Sequence, residues 1–280
     1  MTYLDIARRG KNDLWRYIVT WPVAGLVYVL ILTVIIVPAV LLHWVDMGFV
    51  EKMKSAADPV PFYAGVALSF IPILLAVIVA VRWLHGKRFG DIIGAWRWRD
   101  FAFGAGVWLV LLLVSTGVDF ALRPHGFRLT IGTLTPAIVA LIVVVLTLQT
   151  FTEEFVFRGY LTQAVLLATK NPWVTSVITG LLFGALHIPN GIPQAVGAAA
   201  FGIFMARIAI HTGSLALGYG IHLINNLFGG VVVVSTDDIL HGSPGVLSQH
   251  TPELMWVDTG FELAALVLVT FIVLRRKRAE

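Results

Sequence analysis

The chain has 280 residues and a formal net charge of +4; 58% are hydrophobic and only 13% charged, about half the roughly 25% usual in soluble domains. It is therefore not a water-soluble globule, and with no cysteine it has no disulfide scaffold, thiolate metal site or thiol nucleophile. A charge of +4 is too modest to argue for nucleic acid as a partner.

Eight apolar stretches of near-spanning length follow in chain order: 22–43, 62–81, 101–118, 134–151, 173–189, 195–210, 214–234 and 259–274. A bilayer core of about 30 Å takes about 20 helical residues, within about 17 to 25. The first two and the seventh fit comfortably, whereas 195–210 and 259–274 are short and the last contains Glu262. The first stretch is too long for a signal-peptide core and lacks a small-residue cleavage pattern after it, so it reads as a retained anchor. The polar connections 44–61, 82–100 and 235–258 read as loops, and Trp96–Arg97–Trp98–Arg99 as an interfacial anchor.

Charge tests the count, because a span added or lost inverts every later loop. With the N-terminus inside, the inner segments hold 16 of the 20 Lys and Arg, including Arg275, Arg276, Lys277 and Arg278. The outer segments keep Lys52, Lys54, Arg123 and Arg128, and the loop 235–258 carries Asp237, Asp238, Glu253 and Asp258 with no basic residue. The expected architecture is all-α: a polytopic integral membrane helical bundle of about eight transmembrane helices, with seven or nine as alternatives and both termini cytoplasmic.

Ionisable residues inside spans are costly and are kept mainly where they face a cavity. They concentrate in the second half, as Gln149–Arg158 with its two carboxylates and one guanidinium, Phe183 to His187, and His222 to Asn226. Glu154 and Arg158 stand at i,i+4 on one helical face and can pair. Glu153 is rotated by about 100° from Glu154 and points elsewhere. His222 and Asn226 are again i,i+4, and Phe183 sits one turn before His187. The breaker Lys170–Asn171–Pro172 lies midway between Glu153 and His187, 17 residues from each by position 170, so an antiparallel hairpin brings both to one level. Helix from 134 to 169 without a break would be about 50 Å long and project beyond the bilayer core. His43, His85, His125 and His211 lie near span ends and read as packing residues. Gly180, Gly184, Gly197, Gly202, Gly218 and Gly220 read as close helix contacts.

The ordered set Glu153-Glu154-x-x-x-Arg158, Phe183-x-x-x-His187 and His222-x-x-x-Asn226 resembles the family of CAAX prenyl proteases and bacteriocin-processing, Abi-type intramembrane endopeptidases. Phe157–Leu161 and Gly213–Leu215 look like the family as well. The resemblance divides the chain into an N-terminal transmembrane region of about three spans (1–133), a catalytic CAAX-protease-like core (134–234), and an outer loop with the last helix (235–280). It implies hydrolysis of a peptide bond within the membrane. Carried over by position, Glu153 and His187 activate water, His222 and Asn226 stabilise the oxyanion, and Glu154, Arg158 and Phe183 are structural or orienting. The implied partners are the lipid bilayer and a membrane-anchored or lipidated protein or peptide, and the setting is a bacterial or archaeal plasma membrane.

Glu153, His187 and His222 could also ligate zinc with an open fourth position. No His-Glu-x-x-His motif is present, and direct activation of water by Glu153 and His187 is the reading preferred, with the metal left open. No Gly-x-Ser-Gly or Gly-x-Gly-Asp pattern points to serine or aspartate intramembrane proteolysis. The competing readings are a transporter or channel with a buried Glu/His/Asn relay, and an immunity protein that keeps the fold. Against the first stands the lack of an inverted repeat and of any matching polar site in the first half.

Overall fold

A computed structural model of the chain describes residues 2–237 and 239–275. Asp238, Arg276, Lys277 and Arg278, counted above in the charge asymmetry, lie outside the described residues.

A short helix α1 (Tyr3–Ala7) precedes the first long one, α2 (Leu14–Leu41); α3 (Met47–Lys52) and α4 (Pro59–His85) follow, then α5 (Phe89–Ile93) and α6 (Trp98–Leu122). Strand β1 (Phe127–Leu129) leads to α7 (Pro136–Glu153), which runs through a π-helical segment, Glu154–Leu161, directly into α8 (Thr162–Thr169). Next come α9 (Pro172–Ala185), α10 (Ile192–Thr212) and α11 (Ala216–Leu227), the last prolonged by π turns to Val232. Strands β2 (Val233–Ser235) and β3 (Leu247–Gln249) precede the final helix, α12 (Met255–Arg275).

Each of the eight predicted apolar stretches contains a helix, and among the described residues six helices are long and apolar enough to cross a membrane: α2, α4, α6, the continuous α7–α8, α10 and Pro252–Arg275. The fifth and seventh stretches fall short. Helix α9 has 14 residues, about 21 Å, because Pro189 and Gly191 follow at once and Pro lacks the N–H that another turn would need. Helix α11 gives way to β2 where the β-branched run Val231–Val234 favours extended chain. The polar connections are not plain loops either. They contain α3, α5 and a three-stranded sheet of order β1-β3-β2, with β3 antiparallel to β1 and parallel to β2.

The predicted breaker works residue by residue. Lys170 adopts φ 54° and ends α8, and the Asn171 side chain caps α9 by accepting from the amides of Trp173 and Val174 at 2.9 and 3.1 Å. Pro172 then opens α9 at its first position, where its missing N–H is of no consequence. The hairpin α9–α10 closes on glycines. A Cβ on Gly180 would run into the backbone of Ile203, and one on Gly202 into Gly180. Helices α6 and α11 meet in the same way, Gly104 against the Leu217 carbonyl and Gly220 against the Phe101 carbonyl. Small residues of this kind let membrane helices pack backbone to backbone. The core around them comprises Trp108, Phe183, Phe201, Met205, Ile208, Leu217, Ile221 and Leu266.

The N-terminal residues, expected as a polar lead-in, dock instead. Thr2 and Asp5 cap α1 reciprocally, through Asp5 N–H to Thr2 Oγ1 and Thr2 N–H to Asp5 Oδ2, and Tyr3, Ile6 and Ala7 are buried. Lys87, in the turn before α5, fastens this corner by donating from Nζ to the Ala7 carbonyl and to Gln163 Oε1, both at 2.8 Å. Burial lowers the Lys87 pKa to about 8, with the nearby Asp91 carboxylate opposing the shift. An unfolded chain holds that proton to about 10.4, so between about pH 8 and 10 the unfolded state binds more protons and stability rises with pH. The thermal midpoint in detergent is therefore expected to climb over that window, and Lys87→Met to flatten the climb. A midpoint in the wild type that is level or falling there contradicts the burial of this charge.

Candidate active site

The continuous helix α7–α8 has 34 residues, and Glu153 ends its α7 portion close to the middle of that length. Glu154 begins the π-helical segment, whose bonds span five residues; such widened turns occur most often at functional positions. Both glutamates point towards α11, although one helical step separates them. His222 bridges them, with Nδ1 2.7 Å from Glu154 Oε1 and Nε2 3.4 Å from Glu153 Oε2.

The two carboxylates are used differently. Glu154 is sealed in, its side chain 1% exposed, with Arg158 Nη1 3.2 Å from the same Oε1 that meets His222. Arg158 is itself buried and lays its guanidinium over the Phe183 ring, 4.1 Å from the centroid. The predicted i,i+4 pair is thus formed, with an aromatic face as third partner. Glu153 keeps 14% exposure.

His187 follows the last turn of α9. Its Nδ1 is 2.9 Å from the Phe183 carbonyl, an atom that can only accept, so Nδ1 donates there. Phe183 joins the histidines. Its ring centroid lies 4.6 Å from that of His187 and 6.1 Å from that of His222, edge-on to the latter, and Phe157 packs against it at 5.1 Å. Phe201 closes the other side of His222 at 5.0 Å. Among the described residues no ion pair joins Glu153 to His187; His222 is the partner of Glu153.

Asn226 lies one turn beyond His222, as expected, but its amide is committed. Nδ2 donates to Gln149 Oε1 and to Thr150 Oγ1, both at 3.0 Å. These two acceptors stand one turn before Glu153 and Glu154, a spacing that could have marked them in advance. Asn225, set aside on spacing, accepts at Oδ1 from the Trp108 indole at 3.1 Å. A cavity of about 280 Å³, lined by Trp108, Gln194, Asn225, Asp258 and Glu262 among others, borders this layer at Asn225 and contains none of Glu153, His187, His222 or Asn226.

Among the described residues, no three His, Cys, Asp or Glu side chains are disposed to hold a metal ion. His222 directs both nitrogens at the glutamates and His187 directs Nδ1 at the Phe183 carbonyl. His85, read as a packing residue, is buried with Nδ1 2.7 Å from the Lys11 carbonyl and Nε2 3.1 Å from Thr20 Oγ1.

The bundle of apolar helices thus carries buried Glu154, Arg158 and His222 beside partly buried Glu153, His187 and Asn226. Residues 135–228, a stretch that contains Glu153, Glu154, Arg158, His187, His222 and Asn226, match the Rce1-like family, described as type II CAAX prenyl endopeptidase Rce1-like. The chain is 27% identical over 270 residues to the Bacillus subtilis (strain 168) protein YyaK, described as uncharacterized, with 88% of this chain and 87% of that protein covered. No solved structure matches the chain. The family match and the six apolar helices indicate an integral membrane protein with a region similar to CAAX-type proteases.

Proposed function

We propose that the protein is an endopeptidase of a bacterial plasma membrane that cleaves a membrane-anchored or lipidated protein or peptide, with Glu153 and His187 activating the attacking water. The observation that carries this reading is the division of labour between adjacent glutamates: Glu154 is locked between Arg158 and His222, while Glu153 remains partly open. A water between Glu153 and Nε2 of His187 loses a proton to Glu153 as its oxygen bonds to the scissile carbonyl carbon. The carbonyl π electrons move onto oxygen, and His222 and Asn226 donate to the oxyanion, His222 turning its Nε2 N–H from Glu153 to it and Asn226 exchanging one of its bonds to Gln149 and Thr150. Glu153 then returns the proton to the amide nitrogen as the C–N bond breaks, leaving a carboxylic acid and an amine, the acid proton passing to the amine to give carboxylate and ammonium.

The test is cleavage of quenched-fluorescent peptides in proteoliposomes, anchored by a prenyl group or by a transmembrane segment. The rate is expected to persist within twofold after exhaustive treatment with phenanthroline and EDTA. A loss beyond tenfold that zinc alone restores would transfer Glu153, His187 and His222 from water activation to metal ligation.

A further inference from the structure

The mechanism uses Arg158 through its guanidinium, but its backbone carbonyl sits at an irregular point in the helix. In the π-helical segment bonds span five residues, and the last of them runs from the Thr162 N–H to the Phe157 carbonyl. Where four-residue bonds resume in α8, the next one counted from Gln163 ends at Gly159, so the Arg158 carbonyl between is passed over. A buried carbonyl of this kind needs a donor from elsewhere.

Tyr3 supplies it. From α1 its hydroxyl donates to the Arg158 carbonyl and lies 3.3 Å from that of Gly159. Tyr3 is 1% exposed, and its ring packs with Leu166, Ala209, Ile210 and Leu215. The Lys87 bond to Ala7 holds α1 in place. On the next residue of the π segment, the Tyr160 hydroxyl is 3.0 Å from Nε2 of His85.

We propose that Tyr3 is a positioning residue for the reaction. Its hydroxyl holds the π segment in its widened form, which fixes where the Arg158 side chain leaves the helix, and through Glu154 fixes the imidazole of His222. The inference rests on the endopeptidase reading above, and extends it to a residue 155 positions away in the chain.

The variant that tests this is Tyr3→Phe, which keeps the ring and removes only the donor. Two readouts are taken in lipid nanodiscs: amide hydrogen exchange over 155–165, and cleavage of a quenched-fluorescent peptide bearing a farnesylated cysteine before its last three residues. Exchange is expected to rise about tenfold and kcat to fall about tenfold, with KM within twofold and the thermal midpoint unchanged within a few degrees. Exchange at the wild-type rate overturns the proposal, as does a fall in kcat that only parallels a loss of midpoint. Glu153→Gln in the same assay separates the two ideas: cleavage surviving that change removes the endopeptidase reading alone, and the exchange measurement, which needs no substrate, still decides on Tyr3.

Discussion

Glu153→Gln is expected to lower kcat by about 10²- to 10⁴-fold, the span attributed to a positioned general base, while leaving the protein folded. Glutamine has the shape of glutamate and can accept from Nε2 of His222, which lies 3.4 Å from the carboxylate, but it takes no proton from water. Removing a partly buried carboxylate also removes a desolvation cost, so the thermal midpoint is expected to hold or rise. Glu154→Gln provides the contrast. It leaves the buried Arg158 guanidinium without its counter-charge, so activity and midpoint should fall together. Both variants are to be followed by peptide cleavage in proteoliposomes and by thermal unfolding in detergent. Wild-type-like turnover by Glu153→Gln would remove this residue from the chemistry.

The largest stability effect is expected at Arg158. Arg158→Leu leaves the Glu154 carboxyl in a pocket where its side chain is 1% exposed, without the guanidinium and with the His222 imidazole still beside it, and it removes the stack on Phe183. Breaking one side of a buried pair typically costs about 3–5 kcal/mol, whereas replacing both partners by apolar groups of similar volume is often near neutral. Glu154→Met combined with Arg158→Leu is therefore expected to recover most of the midpoint and none of the turnover. Unfolding in mixed micelles checks both halves. If the double variant is no more stable than Arg158→Leu alone, the pair is not what holds this layer together.

Much of this architecture was legible in the sequence, for reasons that differ from place to place. Helical spacing revealed the Glu154–Arg158 pair and the common face of His222 and Asn226, because i,i+4 neighbours belong to a single helix and need no tertiary information. It could not reveal that one imidazole spans both glutamates, since the rotation between Glu153 and Glu154 describes one helix and His222 arrives from another. Helices α9 and α11 are shorter than the apolar stretches that predicted them. Hydropathy runs on through Ile188 and through Val231–Val234, while Pro189, Gly191 and the β-branched run had already signalled the ends. The partners of Asn226 could have been found at one turn before each glutamate. Tyr3 could not have been, because nothing local links a tyrosine at the start of the chain to a carbonyl in the seventh helix.

The π-helical segment also gives the long helix two registers. Residues before Glu154 keep the angular count that begins at Pro136, and those after Leu161 keep one that begins at Thr162. The segment acts as a gearbox between them: the half that carries Glu153 can turn to face α11 while the half that carries Gln163 and Leu166 turns to receive α1. An uninterrupted α-helix would tie those two directions together, so that any change in the lodging of α1 would rotate the glutamates out of line.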